Sequence, residues 1–360
     1  MIDDHSTGAS CSIHGRSRVD ESSEPPATHC PAGLNSAAAV LSSPFHPLGN
    51  TPVAGPKIAI LLCTYNGQAF LEQQLQSIQR QTWLNWQVVI SDDGSSDDTL
   101  AIVRRYQQAW GLDRLSVYSG PGRGFAHNFM SITFRAEIEA DFYAWCDQDD
   151  IWREDKLQAA GAWLQDMAAD IPALYLGRTE LVSETAALLG YSPLFRRAPS
   201  FANALVQNIG GGNTMVFNRA ACQLLRRVGP PQAIVSHDWW AYLLVTGVGG
   251  HVRYDTTPYV LYRQHGRNLV GANSSWAARW VRLRMLFQGR FKNWNSINIA
   301  GLEVCEPQLT EDNRRRLATF KRLRHQPFLR RFITLLRSGV YRQTVLGNLG
   351  LVVAVVFKRL

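Results

Sequence analysis

The stretch YAWCDQDDIW, Tyr143 to Trp152, carries three carboxylates within four positions: Asp147, Asp149 and Asp150. Like charges this close repel, and removing them from water is costly unless something positive arrives. The apolar run ahead of them predicts a buried strand, with the cluster at its end. Hard divalent cations such as Mg²⁺ and Mn²⁺ prefer oxygen ligands, often one or two carboxylates completed by substrate phosphates. Asp147 and Asp149 form such a pair, and a bound cation would make both charges tolerable. The plainer alternative is a solvated loop in which Asp150 caps the helix that follows.

Four further segments could carry chemistry. VVISDDGSSDDT puts Asp92 and Asp93 after a second apolar strand, where a carboxylate can hydrogen-bond a heterocycle or ribose; a turn with a helix cap is the bland equivalent. SHDWW sets Asp238 beside Trp239 and Trp240, and a carboxylate against aromatic surface suits a general base. Ser236 or Asp238 would equally serve as a helix N-cap. YRQHGRN, Tyr262 to Asn268, offers Arg263, His265 and Arg267 as donors to a pyrophosphate or makes a surface turn. IGGGNTMVFNR, Ile209 to Arg219, has three successive glycines that permit close backbone approach, or a flexible turn.

The elements that must position these residues follow from periodicity. KIAILLC, WQVVIS, RLSVYS and DFYAWC read as strands. AFLEQQLQSIQRQT, DTLAIVRRYQQAW, GFAHNFMSITFRAE and EDKLQAAGAWLQDM read as helices, with Asp97 or Asp98 capping the second. Strands alternating with helices predict an α/β fold with a mostly parallel sheet flanked by helices. In such sheets the working loops lie beyond the carboxyl ends of the strands. Thr64 to Gly67, Asp92 to Ser96 and Asp147 to Asp150 are three loops of that kind.

Composition sets the frame around this core. Residues 1–56 are rich in Ser, Pro, Gly and Ala and are expected as a disordered leader. Residues 57–275 form the α/β domain, and 276–360 a basic, largely helical C-terminal region. That last region has 17 Lys and Arg against 4 Asp and Glu, whereas the rest of the chain has 20 against 25. The tail's Trp, Phe and Leu among the arginines favour a peripheral contact with an anionic membrane, or packing against the domain. The apolar run Leu349 to Phe357 is too short to span a bilayer. The six cysteines have no metal-ligand spacing, and Cys63 and Cys146 read as buried thiols. A cytoplasmic location, at most on the inner face of the cytoplasmic membrane, is the expectation.

In order and type, these motifs from Lys57 to Asn273 resemble the family 2 glycosyltransferases, which have the GT-A fold. CDQDDIW together with LYRQHGRNLVG is most similar to bacterial rhamnosyltransferase-type enzymes of surface-polysaccharide assembly. The resemblance implies roles position by position. Thr64, Tyr65, Asn66 and Glu72 would line the nucleotide pocket, Asp93 with its neighbour Asp92 would meet the base, and Asp147 would face the sugar or ribose. Asp149, with Asp147, would hold Mg²⁺ or Mn²⁺ on the diphosphate. Asp238 would be the catalytic base, with His237 standing where the family usually has Glu. Arg263 and His265 fall near the later donor-binding motif, and Asn213, Thr214 and Trp239 near the acceptor. The Gln-x-x-Arg-Trp motif of processive synthases is absent, which implies transfer of a single sugar.

The implied reaction is an inverting, metal-dependent transfer from a nucleotide-sugar donor, dTDP-rhamnose by the resemblance, to a saccharide or polyprenyl-linked acceptor. Three alternatives stand beside it, one of them an inactive relative kept as a scaffold, against which the intact carboxylates Asp93, Asp147, Asp149 and Asp238 argue. A nucleotidyltransferase would use a similar sheet, but CTYNGQAF lacks the basic phosphate loop expected of one. A nucleic-acid-binding protein would act through the basic tail; the carboxylate-rich loops make nucleic acid the less expected partner.

Overall fold

The computed structural model describes residues 55–229, 231–265 and 290–360. The expected leader therefore lies almost wholly outside the described residues, as do Gly266, Arg267 and Asn268 and the start of the basic tail.

Strand β1 (Ile58–Thr64) is buried along its whole length. Ala59, Leu61 and Cys63 enter one apolar cluster and Ile58, Ile60 and Leu62 another. This is the period-two pattern of a strand covered on both faces. Each buried Ile or Leu here contributes about 1.5–3 kcal/mol by leaving water, so the paired clusters hold β1 at the centre of the sheet. Around it run α1 (Leu71–Gln79), β2 (Trp86–Asp92), α2 (Thr99–Trp110), β3 (Leu115–Ser119), α3 (Phe125–Thr133) and β4 (Phe142–Asp147). Strands β3, β2, β1 and β4 lie side by side in that order, all parallel. The chain steps outward from β1 to β3 and then returns to β1's other edge. The switch point lies between β1 and β4, and in open α/β sheets the crevice at the carboxyl ends of such strands is where ligands bind.

Beyond β4 the sheet changes character. Next come β5 (Ile151–Trp152), α4 (Lys156–Gln165), β6 (Ala173–Val182), β7 (Leu188–Tyr191), the short α5 (Phe201–Ala204), β8 (Val216–Asn218), α6 (Arg219–Val228), α7 (His237–Gly247) and β9 (His251–Arg263). Strand β8 runs antiparallel to both β4 and β6, β9 runs parallel to β6, and β5 and β7 pair antiparallel at the margins. The expected mostly parallel sheet is thus mixed. The eight strand-helix elements up to α4 were readable because their patterns are local; the short strands β5, β7 and β8 have too few residues to show a period.

The C-terminal helices α8 (Arg290–Val304), α9 (Glu311–His325), α10 (Phe328–Ser338) and α11 (Val345–Val356) do not form a separate body. Leu302, Leu317, Phe320, Leu335 and Val355 share one cluster with Trp240 and Leu244 of α7. The Asn313 amide caps α7 by donating to the carbonyls of Thr246 and Gly247, each at 3.0 Å. Covered by the sheet on one side and by this layer on the other, α7 is buried almost all round, and its tryptophans follow from that.

Candidate active site

Three strand ends define the site. In the register Thr64 lies beside Asp92, and Cys63 beside both Ser91 and Asp147, so β1, β2 and β4 end level. Asn66 turns the chain after β1 in the left-handed region, φ 48°, which Asn tolerates better than most residues. Its N–H donates to Ser95 Oγ at 2.9 Å, and its side-chain oxygen accepts from Ser96 N–H at 2.8 Å. The β1 and β2 loops are therefore fastened to each other.

The two aspartates after β2 divide their work. Asp92 is 7% exposed and accepts from Thr64 Oγ1, Ser95 Oγ, and the N–H groups of Gly94 and Ser95. Its oxygens, with the Thr64 hydroxyl, shape the loop after β2. Asp93 faces outward. Its two oxygens accept from Gly122 N–H at 2.7 Å and Gly124 N–H at 2.8 Å, which fastens the 120–124 loop to the end of β2.

The cluster after β4 separates in the same way. Asp150 is fully buried, accepts from the Asn213 amide at 2.5 Å and from Arg263 N–H at 3.3 Å, and caps no helix. Burial, then the charge of Asp149, push its carboxyl up to about 8. Asp149 meets His265, Oδ2 to Nε2 at 2.8 Å, with Phe70 against the imidazole at a centroid distance of 5.1 Å. Asp147 accepts no hydrogen bond on its carboxylate from any described residue. Burial raises its pKa well above the carboxylate range, and the charges of Asp150, Asp149 and Asp238 raise it further. Asp238 thus sits within the field of the β4 carboxylates, although 91 residues separate it from Asp147.

Asp238 lies in the first turn of α7. One oxygen accepts from Trp239 N–H at 2.6 Å and the other from Gly212 N–H at 3.2 Å, which fixes the carboxylate's orientation while leaving it partly exposed. The imidazole of His237 beside it is buried, stacked on Phe129 at 4.1 Å and edge-on to Trp145 at 4.7 Å. Burial pulls its pKa down to about 4, so the ring is neutral.

Several expected contacts acquire other tasks. Arg263 is 1% exposed; its guanidinium donates to the backbone carbonyls of Asp149, at 3.0 Å, and Glu184, and to Gln73 Oε1 at 2.5 Å. It clamps the acidic loop from beneath. Asn213 and Thr214 are buried at 4% and 3%; Asn213 holds Asp150, and Thr214 bonds Gly211 O and Gly177 N–H. Trp239 is core, its indole N–H bonded to Ala204 O at 2.7 Å. Glu72 pairs with Arg105 on the outer side of α1 and α2 at 2.6 Å. Tyr65 remains at the crevice, 58% exposed.

Two contributors escaped the sequence reading. Gln148, the spacer of the Asp-x-Asp motif, accepts from Tyr65 N–H at 2.9 Å and donates to Tyr65 O at 3.0 Å. It couples the β1 and β4 loops, and Gly67 leaves it room. Lys156 is buried beneath the cluster, Nζ 3.4 Å from the centre of the Trp152 ring, with a pKa pushed down to about 7 by burial. A polar spacer and a lysine six residues after Asp150 are visible signals, but neither has a local pattern that marks it.

The donor set suits a hard cation. Asp147 is a crowded carboxylate with no hydrogen bond from any described residue, and Asp149, two positions on, lies against the imidazole of His265. Among the described residues no three Asp, Glu, His or Cys side chains are gathered as a ready metal site, so a cation here would draw its remaining ligands from substrate and water.

Residues 59–223 match the family model for glycosyl transferase family 2. The chain is 29% identical over 245 residues to the dTDP-rhamnosyl transferase RfbG of Shigella flexneri, an overlap of 62% of this chain and 78% of that protein. It is 29% identical over 101 residues to the UDP-Glc:alpha-D-GlcNAc-diphosphoundecaprenol beta-1,3-glucosyltransferase WfgD of Escherichia coli, covering 28% of this chain and 38% of that one. A crystal structure of residues 1–349 of Staphylococcus aureus TarS superposes with a TM-score of 0.50 at 17% identity, covering 79% of this chain and 73% of that chain. That likeness shows the fold. The family match also decides against the nucleotidyltransferase reading.

Proposed function

We infer, for a chain that belongs to the family 2 glycosyltransferases, that it transfers one rhamnosyl unit from dTDP-rhamnose with inversion at the anomeric carbon. The acceptor is a hydroxyl of a saccharide or polyprenyl-linked saccharide in cell-surface polysaccharide synthesis. One observation carries the reading: Asp147, Asp149 and Asp238 lie within one another's field at the end of β4, and Asp147 accepts no hydrogen bond on its carboxylate from any described residue. The similarity to a dTDP-rhamnosyl transferase over 245 residues supports the choice of donor.

Chemically, Asp93 and the backbone around Tyr65 would receive the nucleoside at the β1 and β2 ends. Asp147 and Asp149 would hold Mg²⁺ or Mn²⁺, which when bound offsets charge on the leaving diphosphate. Asp238 takes the proton from the acceptor hydroxyl as that oxygen attacks the anomeric carbon. The bond from that carbon to the diphosphate oxygen breaks in the same displacement, so no covalent sugar-enzyme species forms. The N–H groups of Gly212 and Trp239 keep the Asp238 carboxylate aimed during this step. His237, neutral in its aromatic box, does not compete for the proton.

The test is nucleotide release by the full chain from dTDP-rhamnose, UDP-glucose, UDP-N-acetylglucosamine and GDP-mannose, with Mg²⁺, Mn²⁺ or EDTA. Faster release from dTDP-rhamnose, lost in EDTA, is expected. Preference for another donor sinks the rhamnose assignment, and full activity in EDTA sinks the metal.

A further inference from the structure

The outer faces of α10 and α11 carry apolar side chains that no described residue covers. On α10, Phe328, Leu329, Phe332, Ile333 and Leu336 form one helical stripe, and Leu329 and Leu336 are each 70% exposed. On α11, Val345, Leu346 and Leu349 are exposed, with Phe357 just past its end. Isolated exposed apolar residues are ordinary; nine on one helical hairpin are not. Nor are these helices poorly packed. Their other faces are satisfied: Leu335, Leu351, Ala354 and Val355 join the core, and the buried Arg331 donates to Val355 O at 2.8 Å.

Charge says what covers the stripe. From Asn313 to Leu360 there are 12 Lys and Arg and no Asp or Glu. Arg330, Arg337 and Lys358 are exposed on the hairpin itself. An apolar stripe edged only by cations matches a surface with an apolar interior and anionic headgroups. A second copy of the chain is a poor match, since a symmetric contact would set cations against cations with no carboxylate to answer them. The helices also cannot cross a membrane: α11 has 12 residues, about 18 Å at 1.5 Å each, and no described helix is long and apolar enough to span.

We propose that the α10–α11 hairpin lies on an anionic lipid bilayer, with the stripe inserted between headgroups. The link between the two helices is bolted to the catalytic body. Arg197 N–H donates to the Gln343 side chain, whose amide returns to Arg197 O at 3.0 Å, and the Asn203 amide donates to Tyr341 O at 3.0 Å. Docking the hairpin therefore fixes the orientation of the whole domain at the surface. The proposal stands independently of the donor assignment.

The experiment is flotation of the full chain with vesicles of phosphatidylcholine alone or mixed with phosphatidylglycerol, at low and high salt. The wild type should float with the mixed vesicles, roughly tenfold or more over the neutral ones, and less in high salt. The variant Leu329→Gln/Leu336→Gln/Leu346→Gln should lose that binding while keeping its melting temperature and nucleotide release. Leu112→Gln, at another exposed leucine, should bind as wild type does. Failure of the wild type to float overturns the proposal. So does flotation of the triple variant equal to wild type, or a wild-type dimer that the triple variant dissolves without any vesicle binding.

Discussion

The side chains of Asn213 and Asp150 meet at 2.5 Å inside the protein, 63 residues apart in the chain. This bond joins the glycine segment to the acidic loop. It also removes Asp150 from the set of carboxylates that face the crevice.

Replacing Asn213 by Leu takes away a side-chain donor to a fully buried carboxyl. Leaving a buried acceptor without its donor costs about 1–3 kcal/mol. The urea midpoint of Asn213→Leu should fall accordingly with an unchanged slope. A midpoint equal to wild type would mean that the bond does not hold the loop.

Asp149 and Asp150 should respond oppositely. Asp149→Ala removes the outward carboxylate and should lower metal-stimulated nucleotide release by on the order of a hundredfold. Asp150→Asn keeps an acceptor for Asn213 and should retain most turnover. Equal losses in both variants would erase the division of labour within the motif.

Asp238→Asn preserves shape and removes the proton acceptor. The expected fall in kcat is roughly 10²- to 10⁴-fold, with donor affinity retained. Loss of donor affinity together with folding would assign Asp238 to the architecture of α7 instead.

A side chain at Gly212 would run into His237 Nε2, and the ring is confined by Phe125, Phe129 and Trp145. Gly212→Ala should cost about 1–3 kcal/mol by overpacking and displace the N–H that aims Asp238. Stability and kcat should fall together. Unchanged values in both would show that the segment has slack.

His237 links stability to pH. Its folded pKa is lowered from 6.5 to about 4 by burial, so the unfolded chain takes up the proton first as pH falls. Its contribution is complete above about pH 6.5 and is lost toward pH 4, at up to about 1.4 kcal/mol per pH unit. Asp147 and Asp150 have raised folded pKa values, so their contributions grow as pH falls. The difference between wild type and His237→Gln isolates the histidine: the variant should lose less stability between pH 6.5 and 5. Parallel curves would place the imidazole in contact with water.

The sequence alone determined the alternation of strands and helices through α4, the burial of Cys63 and Cys146, and the position of acidic loops at strand ends. These are local matters, because residues two, three or four apart share a face of one element. The motifs also pointed to the family, since several short segments in fixed order leave little ambiguity. What only the tertiary structure decided is which partner each polar group finds. Asp92 and Asp93 are adjacent, and so are Asp149 and Asp150, yet Asp92 turns into its own loop and Asp150 into the core, whereas Asp93 reaches the backbone of Gly122 and Gly124 and Asp149 the imidazole of His265. The partners of Asp92 and Asp150 include Thr64, 28 residues before Asp92, and Asn213 and Arg263, 63 and 113 residues beyond Asp150. No local pattern encodes partners at such separations. The tail follows the same rule: its charge could be counted from the letters, but the split of α10 and α11 into a core face and an uncovered face came from packing against α7 and α9. A side chain is buried or exposed according to its neighbours in space, and folding supplies those neighbours from distant parts of the chain.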